Sequence, residues 1–215
     1  MPTLIIGNKN YSSWSMRPWL ALKKAGIDFA EVVIPLDQPD TKSRLLEVSG
    51  AGRVPVLRHG DLTIWESIAI IEYIAEIEPG LWPKERGARA YGRSIAAEMH
   101  AGFSTLRELM PMNCRAQNRC INSTPALAND ITRVEQIWTK ARHRFHDGGP
   151  WLLGQFSIAD AMYAPVVSRF LTYGVTVDVS ARNYMKQWQN DPQFADWHNQ
   201  AAAETWSIPH EEVGM

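Results

Sequence analysis

Apolar and polar positions in the first part of the chain switch between a period of two and a period near 3.6, marking alternating strands and helices. Residues 3–6 (TLII) form a short apolar run that predicts a buried strand. From Trp14 to Ala25 the positions Met16, Leu20 and Ala21 recur at helical spacing, and the run stops at Gly26, a natural helix terminator. Residues 29–34 (FAEVVI) alternate and are β-branched, which predicts a second strand. A polar stretch with a short helix over 40–47 follows, then two strand-like runs, VPVLR and DLTIW, joined by a hairpin turn at His59–Gly60–Asp61. Residues 66–77 (ESIAIIEYIAEI) make a helix with a strongly apolar face, ending before Pro79–Gly80.

The run EPGLWPKERG has the Pro/Gly content of a linker, and everything after it carries helical patterning. One long helix is expected over 88–110 up to Pro111, a second over 126–146, a third over 158–172, a fourth over 180–190 and a last starting near Pro192. There is no internal repeat. The pattern divides the chain into an α/β domain over residues 1–79, a linker over 80–87 and an all-α domain over 88–215. The order β-α-β-α-β-β-α, closing on a hairpin, resembles a thioredoxin-like domain.

Composition narrows the function classes. A hydrophobic share of 45% and a charged share of 21% are those of an ordinary globular protein. A net charge of -1 leaves no electrostatic footprint for nucleic acid or an anionic membrane. The start MPTLIIG has no signal-peptide pattern, and no apolar run approaches a membrane span. Cys114 and Cys120 have no metal or redox spacing, and free thiols suit a reducing, cytoplasmic compartment. His143 and His146, three apart on a helix without a third ligand, read as a solvated basic helix end, so no metal is expected. The nine tryptophans suit core or interface positions, with several available to line an apolar pocket.

Four features carry candidate chemistry. NYSSWSMRPWLAL (10–22) lies at a strand-to-helix junction, where free N–H groups and the helix dipole favour an anion. Ser12, Ser13 and Ser15 crowd that junction, and two readings stand side by side: one serine caps the helix, or a hydroxyl donates to a bound thiolate. Pro18 fits the first turn if the helix starts near Ser15. The second reading is energetically feasible. A cysteine-like thiol has a pKa of about 8.5, and lowering it by two units needs roughly 2.7 kcal/mol. A hydrogen bond to a charged group contributes about 1.5–3 kcal/mol and a helix N-terminus roughly 0.3–1 kcal/mol.

Val54–Pro55 either marks a strand edge or, in a thioredoxin-like fold, is a cis proline that turns the backbone of Val54 toward an extended peptide ligand. Glu66–Ser67 either caps the following helix or recognises an α-amino acid head group, Ser67 holding the carboxylate and Glu66 the ammonium. SIAD (157–160) is a variant capping box, with Ser157 and Asp160 nucleating the central helix of the second domain.

Together, in this order and spacing, these features resemble the cytosolic glutathione transferase family over essentially the whole chain. SSWSMRPWLAL looks most like the zeta-class segment, with Ser12 five residues before Arg17, the spacing of the catalytic serine in the zeta and tau classes. The resemblance implies glutathione as co-substrate, activated by Ser12 with Ser13 and Ser15 assisting. It places the cysteinyl backbone on Val54 beside Pro55, the γ-glutamyl group on Glu66 and Ser67, and the glycyl carboxylate on Arg53. It implies a homodimer and a second-substrate pocket for a small, apolar electrophile. Candidates for that pocket are Tyr11, Trp14, Met99, His100, Phe103 and Arg107, with Tyr173 from a later helix; Met99, Phe103 and Arg107 recur at four-residue steps and would share a face. The zeta-class arginine that grips a dicarboxylate has no counterpart, since Thr172 stands there and Arg169 lies about one turn earlier. A glutathione-dependent isomerase or peroxidase on the same site, or a non-catalytic ligand-binding relative, are the alternatives.

Overall fold

The computed structural model describes the backbone of residues 1–215 and every side chain except that of His146. The reading of the His143–His146 pair therefore rests on a side chain outside the described residues. The first part is a four-stranded sheet ordered β2-β1-β3-β4, built from β1 (Thr3–Ile6), β2 (Ala30–Val33), β3 (Val56–His59) and β4 (Leu62–Trp65). The most apolar strands sit centrally: Leu4, Ile5 and Ile6 of β1 and Val56 and Leu57 of β3 are buried, whereas β2 and β4 form half-exposed edges. β1 and β2 are parallel and need a crossover, which α1 (Ser13–Lys24) supplies. β3 and β4 pair antiparallel with His59 opposite Leu62, so Gly60–Asp61 is a two-residue turn, and Gly60 takes the positive φ (58°) that such turns require.

α1 and α3 (Ser67–Ile77) cover one face of the sheet, and a small cluster of Ile5, Ile34, Leu45 and Val56 packs α2 (Thr41–Val48) on the other. α1 starts at Ser13, earlier than the Pro18 argument allowed, so Pro18 lies inside the helix rather than in its first turn. Its ring lacks the N–H that a helix-interior residue gives to the carbonyl four residues back. Gly26 follows at positive φ (66°) and ends the helix where the sequence places the stop.

The helical part begins with α4 (Arg86–Ala101) and α5 (Ser104–Leu109), which replace the single helix expected over 88–110. The break is at Gly102–Phe103, where Phe103 adopts a left-handed conformation (φ 57°). A carboxylate from elsewhere stabilises the restart: Leu106 N–H donates to Asp130 Oδ2 at 3.0 Å, capping α5 from α6 (Pro125–Phe145). α7 (Ile158–Thr172) runs through the core with nearly every residue buried, and α8 (Val179–Gln189) and α9 (Pro192–Ala203) pack around it. Its start is the expected SIAD turn, in which the Asp160 carboxylate accepts from Ser157 N–H (2.9 Å), Ser157 Oγ (2.9 Å) and Leu152 N–H (3.0 Å). Burial pushes the Asp160 carboxyl up to about 6 against those hydrogen bonds. Among the described residues no helix is long and apolar enough to cross a membrane.

Candidate functional site

The site is assembled where three segments of the α/β part meet α4, α5 and α7. At the start of α1, Ser12 occupies the cap position, yet its hydroxyl caps no backbone N–H. Ser12 Oγ lies 2.7 Å from Ser15 Oγ, which in turn accepts the Gly7 N–H at 3.1 Å. Ser12 thus makes no side-chain cap, and the residue lines a cavity.

β3 begins only at Val56, so Val54 stands ahead of the ladder with the Val54–Pro55 bond cis. At the β4–α3 junction Glu66 has a positive φ (70°), an uncommon conformation for a residue with a side chain and one that clusters at functional sites. Glu66 makes no capping hydrogen bond, and its carboxylate stays half-exposed, 3.9 Å from His100 Nε2. Ser67 is only 1% exposed, and its Oγ has no hydrogen-bond partner. A buried hydroxyl at a helix N-terminus without a partner is a donor waiting for an acceptor. Trp14, Ala51, Arg53, Val54, Pro55, Trp65, Glu66, Ser67 and His100 together enclose about 340 Å³.

A second cavity of about 380 Å³ adjoins the first across Trp14, Arg53 and Val54. Its lining includes Tyr11, Ser12 and Ser13 from the start of α1 together with Arg107, Arg169 and Glu211. The Trp14 ring is in cation–π contact with both Arg17 (4.1 Å from its centroid) and Arg107 (5.2 Å), with the His100 ring edge-on at 5.4 Å. Arg17 is fully buried, donating to the carbonyls of Met162 (3.1 Å) and Ser13 (3.1 Å) with Nη2 unpartnered. Arg169 donates to Met110 O (2.7 Å), Pro165 O (3.2 Å) and Ser13 Oγ (3.2 Å). Among the described residues no carboxylate forms an ion pair with Arg17, Arg107 or Arg169.

The electrostatics follow from that crowding. Burial and then the neighbouring guanidinium groups of Arg169 and Arg107 pull Arg17 well below the usual arginine range. Burial brings Arg169 down to about 10, opposed by Glu211 and reinforced by Arg107. Burial lowers His100, opposed by Glu66 and reinforced by Arg17 and Arg107, so its ring is biased toward the neutral form. Burial raises the Glu211 carboxyl, partly offset by Arg169.

The sequence-derived pocket residues divide. Ser12, Arg53, Val54, Pro55, Glu66, Ser67, Tyr11, Trp14, His100 and Arg107 line one or both cavities. His100 faces the cavity of Glu66 and Ser67 rather than the second one. Met99 and Phe103 do not line either: both belong to the main core, and the break after Ala101 cancels the shared face with Arg107. Tyr173 is likewise absent from both linings; it donates to Pro111 O at 3.2 Å, and burial pushes its phenol up to about 12. Tyr11 is tied to the C-terminal segment, donating to Glu212 Oε1 (2.6 Å) and accepting from Arg115 Nη2 (3.0 Å). Glu211 escaped sequence reading, because the short turn Pro209–Glu211 carries no periodicity or motif.

Both halves of the chain are similar to known proteins. Residues 11–77 match the model of the glutathione S-transferase N-terminal domain and residues 124–199 that of the C-terminal domain. A probable maleylacetoacetate isomerase of Caenorhabditis elegans is 34% identical over 110 residues, covering 50% of this chain and 50% of the relative. Glutathione S-transferase L2, chloroplastic, of Arabidopsis thaliana is 28% identical over 176 residues, covering 78% of this chain and 55% of the relative. The chain thus spans about half the length of these two curated relatives. Among solved structures, a glutathione transferase homolog from Burkholderia with bound glutathione superimposes with a TM-score of 0.70 at 26% identity, covering 94% of this chain and 99% of that one. The theta class enzyme of Xanthomonas axonopodis pv. citri shares the fold, with a TM-score of 0.68 at 19% identity over 91% of this chain and 95% of that one.

Proposed function

Because the chain belongs to the glutathione S-transferase family, we propose that it binds glutathione and activates the thiol through Ser12 for attack on a small electrophile. The observation that carries the reading is the Ser12 hydroxyl: it sits at the head of α1, leaves the helix uncapped and faces a cavity. The Burkholderia homolog, whose structure holds glutathione, supports the choice of thiol. The first cavity suits the remainder of that peptide. The unpartnered Ser67 Oγ and the free N–H groups at the start of α3 suit a carboxylate. Glu66 suits the neighbouring ammonium, Val54 the extended backbone and the exposed Arg53 the far carboxylate. In this scheme the Ser12 O–H donates to the sulfur anion, and the proton released from the thiol goes to water.

The second cavity modifies the expectation of an apolar electrophile. Arg53, Arg107 and Arg169 line this cavity against the single carboxylate of Glu211, and that excess of positive charge favours an electrophile that itself carries negative charge, with Trp14 as its apolar platform. The reading includes a homodimer, supported by the exposed apolar side chains Leu62, Trp65 and Ile77; sedimentation velocity reads that state directly, and a monomer would remove it.

The test is Ser12→Ala. The ultraviolet titration of the bound thiolate should move up by about one to two units, the equivalent of one hydrogen bond to a charged group. Retention on immobilised glutathione should persist while turnover falls. An unchanged titration removes Ser12 from the mechanism, and failure of the parent protein to be retained favours a non-catalytic ligand carrier.

A further inference from the structure

Ser15 lines neither cavity, and it is completely buried (0% exposed). Its hydroxyl nevertheless joins the reactive edge of α1 to the backbone of the loop after β1. Gly7 N–H donates to Ser15 Oγ at 3.1 Å, and Ser12 Oγ lies 2.7 Å away. A contact between two hydroxyls can run either way, and burial decides between the two directions. If Ser12 donates to Ser15, the Ser15 proton has no acceptor among the described residues, and an unsatisfied donor stays in the core. If Ser15 donates to Ser12, every buried proton has an acceptor: Gly7 gives to Ser15, and Ser15 gives to Ser12. The Ser12 O–H then remains free, on the one member of the chain that reaches the cavity.

We propose that Ser15 is a positioning residue that fixes the polarity of this hydroxyl chain, so that Ser12 presents its proton, rather than a lone pair, to an anion in the cavity. The inference rests on Ser12 being the thiol activator and adds the reason that its hydroxyl is oriented for the task. Aligned hydroxyls also polarise one another, so the outermost proton becomes a better donor than that of an isolated serine. Neither Ser13 nor Trp14 substitutes for Ser15, because among the described residues Ser15 Oγ is the hydroxyl within hydrogen-bond distance of Ser12 Oγ, and Trp14 has no acceptor.

The experiment titrates the thiolate of bound glutathione in the parent protein and in Ser12→Ala, Ser15→Ala, Ser15→Thr and the Ser12→Ala/Ser15→Ala double variant. Thermal unfolding checks that each is folded. Ser15→Ala should raise the titration midpoint by about half a unit to one unit, the usual net worth of one hydrogen bond. At a pH where the thiol is protonated in both proteins, glutathione affinity should be unchanged. Ser15→Thr, which keeps the hydroxyl, should titrate like the parent, and the double variant should titrate like Ser12→Ala alone. Should Ser15→Ala not fold, Ser15→Cys, with its weak S–H donor, takes its place and shifts the midpoint in the same sense. The proposal is overturned if Ser15→Ala titrates like the parent while Ser12→Ala does not, or if the two single shifts add in the double variant. Should Ser12→Ala itself leave the titration unmoved, the activator reading falls, and the relay with it.

Discussion

Replacing Ser67 by alanine separates what the start of α3 does for folding from what it does for a ligand. In the free chain Ser67 Oγ is buried and has no partner, a situation that costs about 1–3 kcal/mol for a hydroxyl. Removing the oxygen relieves that penalty, and alanine is the better helix former at a first-turn position. The unliganded variant should therefore be as stable as the parent or more so, with about 2–4 °C of melting temperature for each kcal/mol gained in a chain of this size. Binding should respond in the opposite direction. A hydrogen bond from Ser67 to a carboxylate contributes about 1.5–3 kcal/mol, so its loss weakens glutathione about 10- to 150-fold. Thermal unfolding with and without glutathione, paired with calorimetric titration, reads both quantities on the same sample. An alanine variant that melts lower than the parent and binds glutathione equally well would refute the reasoning, because Ser67 would then be a structural cap.

Three other outcomes are expected. Arg107→Ala should lower kcat/KM for a carboxylate-bearing electrophile about 10- to 100-fold more than for a neutral one of similar size, as the loss of one charged hydrogen bond requires; equal losses would show that the cavity does not select charge. Gly92→Ala should destabilise the protein by about 1–3 kcal/mol despite better helix propensity, since a Cβ there would lie 2.5 Å from Leu153 Cδ1 and 2.8 Å from Trp82 Cζ3; a higher melting temperature would show that this contact relaxes. Burial holds the Cys114 thiol near 12, so it stays protonated across pH 7–9, and alkylation of the native protein should stop at the exposed Cys120; two labels per chain at comparable rates would contradict this.

The sequence made the α/β half and the start of α7 legible because their punctuation is local. Gly26 ends α1, the Gly60 turn sets the β3–β4 register, and Ser157–Asp160 starts α7, each acting within a few residues of its own position. The break at Gly102–Phe103 was not legible, since apolar spacing continues across it and the stabilising carboxylate, Asp130, arrives from a different helix. The same distinction runs through the site. Ser12, Val54 and Glu66 stand at element boundaries, where local sequence points to them. The missing partner of Ser67, by contrast, is a property of its surroundings. The charge of the second cavity was hidden for a related reason: Arg107 and Arg169 belong to separate helices, and Glu211 to a turn without pattern. Met99 and Phe103 were drawn into the expected pocket by an apolar spacing that runs on past Ala101, where the helix itself ends.

The helix that carries Ser12 is held from behind by the helical half. Arg17 on α1 reaches the carbonyl of Met162 on α7, and Arg169 on α7 reaches back to Ser13, next to Ser12. Those anchors make the two halves poor candidates for exchange. In a chimera that joined this α/β half to the helices of a relative, the foreign segment would have to supply more than a new substrate pocket. It would also have to return a carbonyl and a guanidinium to the same two places. With Ser12 as the proposed activator, the chemistry of the thiol and the choice of substrate are expected to drift together over evolutionary divergence, because the same two contacts between α1 and α7 serve both.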